Sequence, residues 1–312
     1  MQKSFRAILI DAIVKNAENN PDVVVLNADS ARALSLTKFK EKFPNRMFCL
    51  GISEADMMAT AAGMSTSGLI PIVVGFSMFV SEKPFEQIRQ AIAYPNLNVK
   101  IVATHSGLCV GKDGATHQAL EDIAVMRTLP NFKVFAAADV NQTKSIVDAM
   151  IKHNGPAYLR LGRDLAEDIY DEPRVAFPGG SDVLTEGKDV TIVACGLMVE
   201  QALIASKKLK EQGVNAAVIN AYSIKPLDEK TLLEQAAKTG AIVTAEDHSI
   251  IGGLGGAVAE VLSRQYPVPI EFIGVQDKFG ESGEQDELYE KYGLTSDCMV
   301  KAALKAISRK KM

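Results

Sequence analysis

Val99-Lys100-Ile101-Val102-Ala103-Thr104-His105-Ser106-Gly107-Leu108-Cys109-Val110-Gly111-Lys112-Asp113-Gly114-Ala115-Thr116-His117-Gln118 holds two of the chain's four histidines. An apolar run leads straight into them, and an aspartate and several glycines lie between. The run has the length and composition of a buried strand. Next comes a Gly-rich loop with two imidazoles and a carboxylate. An α/β enzyme presents polar groups to a ligand in this way, on loops at strand ends. A lone loop histidine is most often incidental. Two of them around an aspartate form a titratable cluster, which marks a functional site.

The pattern extends outward. Residues 4–18 have helical spacing, Val23–Asp29 reads as a buried strand ending in an acid, and Arg46–Leu50 reads as a short strand. Ser53 opens a helix of small residues to Gly63. Strands at 70–76, 99–104, 133–136 and 157–161 alternate with helices over 82–93, 117–128 and 141–153. Asp, Glu, Pro and Gly then collect over 164–182, in Asp171-Glu172-Pro173-Arg174 and Pro178-Gly179-Gly180-Ser181. That composition reads as a linker. A second block has strands at 189–195, 215–220, 241–245 and 270–273, and helices at 198–212, 228–239 and 255–265. Such alternation implies a mostly parallel sheet with helices on both faces. The expected fold is α/β in two domains, 1–168 and 185–312, joined by a linker at 169–184.

Bulk properties narrow the function. The chain has 312 residues, 47% hydrophobic and 23% charged, which is a globular composition with room for two cores. The formal net charge is −4 and the longest basic run is the terminal Arg309-Lys310-Lys311, so nucleic acid is not the expected partner. Four scattered cysteines, Cys49, Cys109, Cys195 and Cys298, form no CxxC pair. They fit reduced thiols in a cytoplasmic protein, with no disulfide frame or metal site. The first apolar run is broken by Asp11, and no run approaches the ~18 residues of a membrane span.

Three more signals sit at strand ends. In Gly51-Ile52-Ser53-Glu54 a carboxylate starts a helix beside Ile52, Met57 and Met58. Apolar surroundings raise a carboxyl pKa and let it hold a proton near neutrality; a helix N-terminus also attracts an acid for its dipole alone. Phe76 and Phe79, in Gly75-Phe76-Ser77-Met78-Phe79, are placed either to flank a flat heterocycle or to pack a core. Leu159-Arg160-Leu161-Gly162-Arg163 brings arginines past another strand end, where a guanidinium forks onto phosphate or carboxylate. All four signals fall on the edge of an open α/β sheet where ligands bind.

Their order and spacing resemble the transketolase family, specifically the C-terminal half of a full-length member. Such enzymes read similarly to T-H-D-S-x-x-x-G-E-D-G-P-T-H-Q-P followed by an arginine and L-P-N. Here Thr104-His105-Ser106-Gly107, Gly111-Lys112-Asp113-Gly114-Ala115-Thr116-His117-Gln118, Arg127 and Leu129-Pro130-Asn131 stand in register. The family's G-I-x-E matches Gly51-Ile52-Ser53-Glu54, and Glu246-Asp247-His248 with Gly252-Gly253-Leu254-Gly255 matches its C-terminal domain. The resemblance covers essentially the whole chain.

The resemblance implies a thiamine-diphosphate enzyme that moves a two-carbon ketol unit from a ketose phosphate to an aldose phosphate, as in pentose phosphate interconversion. By this likeness Glu54 is the carboxyl at the cofactor's pyrimidine, Phe76 and Phe79 flank that ring, Ile52 lines its pocket, and Asp29 lies near the cofactor. His105, Asp113 and His117 contact sugar hydroxyls, the histidines also serving proton transfer. Arg163 holds the substrate phosphate. Ser106, Lys112, Ala115 and Glu82 depart from the pattern, the last standing where the family has a tyrosine. The family's GDG motif, which holds Mg²⁺ or Ca²⁺ and the diphosphate, does not occur here. The expected partner is therefore an N-terminal transketolase subunit carrying that motif, in an α2β2 assembly. Competing relatives are the β subunit of a 2-oxo acid dehydrogenase E1 and a 1-deoxyxylulose 5-phosphate synthase. A noncatalytic assembly subunit is the alternative from another class. The Asp113–His117 string and Arg163 favour transketolase.

Overall fold

The structure, a computed structural model, describes residues 3–163 and 165–310. Its strands are β1 (Lys3–Ser4), β2 (Val23–Asn27), β3 (Met47–Cys49), β4 (Ile70–Phe76), β5 (Lys100–Thr104), β6 (Lys133–Ala136), β7 (Ala157–Arg160), β8 (Leu165–Ala166), β9 (Asp182–Thr185), β10 (Val190–Ala194), β11 (Ala216–Asn220), β12 (Ser223–Lys225), β13 (Ile242–Ser249) and β14 (Ile270–Val275). The first sheet runs β12-β6-β7-β5-β4-β2-β3 and the second β14-β13-β10-β11-β9. Within these two sheets the edge strands β12 and β9 pair antiparallel and the other described pairings are parallel, while the short β1 and β8 form a separate antiparallel pair. The chain therefore forms two mostly parallel sheets flanked by helices.

Side-chain alternation divides the first sheet into two cores. Val23 and Val25 of β2 join Ile72, Val74 and Val102 on one face, under Phe5, Leu9 and Ile13 of the helix Phe5–Asn19. Val24 and Leu26 face the other way, with Val73, Ile101, Met57 and Ile88. A strand covered on both faces needs apolar residues at every position, which is why these strands read as continuous runs. The second face does not stop at residue 168. Val193, Ile219, Leu232 and Val258 belong to the same cluster, so the two units share a core.

Some elements differ from the sequence expectation. The helix expected over 82–93 begins only at Phe85 and turns π-helical over Ile88–Ala93, and a separate short helix, Ser77–Ser81, precedes it. Pro84, with no N–H to donate, stands at the N-cap of the later helix and separates the two. The helix expected from 117 begins at Asp122, and Gly107–Asp113 forms a 3₁₀ turn kinked at Gly111. β9 begins inside the segment expected to be linker, and β12 leaves the second unit to complete the first sheet. Two C-terminal helices, Gln285–Tyr292 and Ser296–Ser308, went unanticipated although both carry N-cap signals, at Glu284 and Thr295. Among the described residues no helix is long and apolar enough to cross a membrane.

Arg160, at the end of β7, is 6% exposed and pairs with the fully buried Asp122 through Nε, 3.1 and 3.0 Å from the two carboxylate oxygens. Tyr158 and Ser77 hydroxyls donate to Asp122 Oδ2 at 2.7 and 3.0 Å. Burial alone would raise the Asp122 carboxyl, but the charges of Arg160 and His248 and these hydrogen bonds hold it below its ordinary range. Replacing Asp122 by Ala strands a buried guanidinium, and we expect a loss of about 3–5 kcal/mol in chemical denaturation. A loss under about 1 kcal/mol, the range of an exposed pair, would contradict this account of the network.

Candidate functional site

The site is built by the loops that leave the carboxyl ends of β2, β3, β4, β5 and β7. Register brings two of them together. Phe76 closes β4 beside Thr104 of β5, so the next residue, His105, stacks obliquely on Phe76 with ring centroids 4.2 Å apart. Phe79 follows on the helical turn Ser77–Ser81 and meets His117 edge to face at 5.2 Å. The phenylalanines are 6.3 Å apart, so two aromatic rings and two imidazoles form one group.

His105 adopts a left-handed backbone, φ 57°. A bulky side chain rarely occupies that region, and such strain persists where the surroundings over-determine it. Its Nδ1 lies 2.9 Å from Thr104 Oγ1. Burial, reinforced by the charges of Arg6 and Arg163, lowers its pKa from 6.5 to about 4. His105 is therefore a neutral imidazole at neutral pH. His117 Nδ1 lies 2.9 Å from Thr116 Oγ1. Arg163 donates to the Val110 carbonyl and, at 3.4 Å, to the Asp113 carboxylate, which ties the loop after β7 to the histidine loop.

Glu54 is the first residue of the helix Glu54–Thr66 and is 4% exposed. The apolar surroundings expected for it contain a cation: the Lys83 ammonium pairs with Glu54 Oε2. Lys83 follows directly from the Phe76–Ser81 segment, so this pair links Glu54 to the ring cluster. Ile52, on the same loop as Glu54, is 76% exposed. Asp29 lies just past β2 in a left-handed conformation, φ 59°. Glu54 and Ile52 sit past β3, and β2 and β3 lie one and two strands from β4. Among the described residues, no group of three or more His, Cys, Asp or Glu side chains could hold a metal ion.

Two contributors were not singled out from the sequence. Arg6 acts on His105 from a helix 99 positions earlier in the chain, and Lys83 acts on Glu54 across 29 positions. Neither spacing leaves a local signal. Of the two arginines at the end of β7 and just past it, Arg160 is held by the fold and Arg163 reaches the histidine loop. Glu82, noted in the sequence only as a departure, is driven from 4.5 up to about 8 by burial, then by the charges of Glu121 and Asp122. Its Oε1 has no hydrogen-bond partner among the described residues.

Two family models match the chain: the transketolase pyrimidine-binding domain over residues 1–168 and the transketolase C-terminal domain over 179–299. A 6-deoxy-6-sulfo-D-fructose transketolase subunit of Clostridium sp. (strain MSTE9) is 40% identical over 306 residues, spanning 98% of this chain and 95% of the relative. An apulose-4-phosphate transketolase subunit of Phocaeicola vulgatus is 35% identical over 309 residues, 99% and 97% of the two chains. A solved structure described as a split gene transketolase, inactive beta4 tetramer, superposes with a TM-score of 0.93 at 47% identity, covering 99% of both chains.

The Glu82 carboxyl sets a stability expectation independent of these likenesses. Because its pKa is raised on folding, the folded chain keeps a proton that the unfolded chain releases above about pH 4.5, so stability falls as pH rises from there to about 8. Glu82→Gln, neutral at every pH, should show a thermal midpoint that exceeds the wild type's by an amount growing from pH 5 to pH 8. A midpoint difference equal at both pH values would contradict it.

Proposed function

The chain belongs to the transketolase family as its C-terminal section, and on that premise we propose that it is the catalytic partner of a separate N-terminal subunit in a thiamine-diphosphate-dependent transketolase. Together they transfer a two-carbon ketol unit between sugar phosphates, as in pentose phosphate interconversion, in an α2β2 assembly. The observation that carries this reading is the ring cluster of Phe76, Phe79, His105 and His117, joined by the Glu54–Lys83 pair to a buried carboxylate.

The residues present fit the cofactor's pyrimidine. Glu54 is a buried carboxylate whose partner, Lys83, has a side chain 51% exposed, so exchanging that ammonium for a ring N–H strands no buried charge. Phe76 and Phe79 offer half-buried aromatic faces. Ile52 and Asp29 would line the remainder. When bound, thiamine diphosphate supplies the electron sink for the bond that breaks. The diphosphate and its Mg²⁺ or Ca²⁺ are assigned to the partner subunit. Ile52 at 76% and Phe48 at 36% exposure leave an apolar rim beside Glu54, which supports a second chain covering it.

On the sugar side, His105 acts as a neutral imidazole that accepts a hydrogen bond or a proton from a substrate hydroxyl. His117 and Asp113 hold neighbouring hydroxyls. Arg163 and Arg6 bias this end toward an anion. The two relatives are named for 6-deoxy-6-sulfo-D-fructose and for apulose 4-phosphate, one a sulfonate and the other a phosphate. A guanidinium accommodates either anion, so Arg163 selects negative charge and leaves sugar identity to the hydroxyl contacts.

Two outcomes test the reading. The isolated chain should show almost no transfer from xylulose 5-phosphate to ribose 5-phosphate. Adding the companion subunit with thiamine diphosphate and Mg²⁺ should restore it; full activity of the chain alone would remove the two-chain reading. In the assembled enzyme, Glu54→Ala should abolish proton exchange at the cofactor's C2 while the far-ultraviolet circular dichroism stays that of the wild type. Normal exchange in that variant would take Glu54 out of its role.

A further inference from the structure

After the left-handed His105, four consecutive backbone N–H groups are all engaged. Ser106 donates to the Leu161 carbonyl at 3.3 Å and Gly107 to Ala119 at 2.9 Å, both within the first unit. Leu108 and Cys109 donate to the two carboxylate oxygens of Asp247, at 2.8 and 3.3 Å. Asp247 lies on β13 in the second unit and is 3% exposed. Its carboxylate also accepts the Tyr289 hydroxyl at 2.9 Å, and its carbonyl accepts Arg160 Nη2 at 2.6 Å. The loop approaches without slack. A Cβ on Gly107, whose φ is +76°, would come within 2.4 Å of the Asp247 carboxyl. Farther along, Gln118 donates to the Glu281 carbonyl at 3.0 Å, and a Cβ on Gly280 would come within 1.9 Å of Gln118 Oε1.

We propose that Asp247 is a positioning residue for the reaction, fixing the Gly107–Val110 turn from the second unit and thereby the placement of His105, Asp113 and His117 against the sugar. The proposal rests on the reading of that loop as the sugar-facing wall. A short 3₁₀ turn leaves its first N–H groups without partners of its own, and a buried carboxylate answers two of them with charge-assisted bonds. Those bonds act on loop backbone, next to the strained histidine. The second unit thus has a part in substrate chemistry without presenting a side chain to the substrate.

The test is Asp247→Asn, which keeps the shape of the side chain and can accept only one of the two N–H groups. In the full chain, amide hydrogen exchange over residues 104–118 should accelerate at least about tenfold, as loss of a charge-assisted bond implies. In the assembled enzyme, kcat for ketol transfer should fall at least about tenfold, while cofactor C2 proton exchange and the donor KM stay within about threefold, because misplaced positioning groups cost the chemical step. Gly280→Ala, which presses on Gln118 at the other end of the loop, should give the same split and stands in if the first variant does not fold. Transfer and C2 exchange falling together, or transfer unchanged while the loop loosens, would overturn the proposal. If the wild-type pair shows no transfer at all, the functional reading fails, and the amide exchange still decides whether Asp247 holds the loop.

Discussion

The Arg160 guanidinium is where the two units are held in register. It is buried at the end of β7 and shares its protons among the Asp122 carboxylate, the Ala119 carbonyl and the Asp247 carbonyl. Desolvating such a cation is expensive, and the pairing offsets that cost only while every partner is in place. The geometry is therefore all or nothing. Asp122 extends the network through Ser77 to the segment that carries Phe76 and Phe79, and Asp247 extends it to the turn after His105. One buried charge aligns the aromatic wall and the histidine wall of the same site.

The site is electrostatically divided. Burial, reinforced by the charges of Arg6 and Arg163, keeps His105 neutral on one flank. On the other, burial and then the negative charges of Glu121 and Asp122 raise the Glu82 carboxyl, so that it keeps a proton. Glu54 lies beyond, with its own cation on Lys83. Positive charge thus faces His105 at one end of the ring cluster and negative charge faces Glu82 at the other.

Much of this was legible in the sequence because parallel sheets write themselves locally. Buried strands show as apolar runs, and ligand-binding loops of such sheets follow their carboxyl ends, so Glu54, Phe76, Phe79, His105 and Arg163 could be marked as candidates one loop at a time. Register then did the rest, since Phe76 opposite Thr104 makes Phe76 and His105 neighbours. What could not be read is what joins distant segments. β12 is three residues long and pairs with a strand about ninety positions earlier, so it has no period of its own to detect. The Leu159–Arg163 run by itself does not separate its two arginines; the family resemblance singles out Arg163, and burial shows Arg160 held by Asp122. The pairing of Lys83 with Glu54 and the grip of Asp247 on the histidine loop depend on tertiary placement alone.

The crossing of β12 bears on how this architecture can be rearranged in evolution. The first sheet borrows an edge strand from the far side of the connecting segment, and the two units share one apolar cluster. A gene break in that connector would expose apolar surface on both products and leave β6 with an open edge. The shared edge and shared cluster therefore favour keeping the two units together. Shuffling or fission can add or remove what lies outside the pair far more easily than it can divide it.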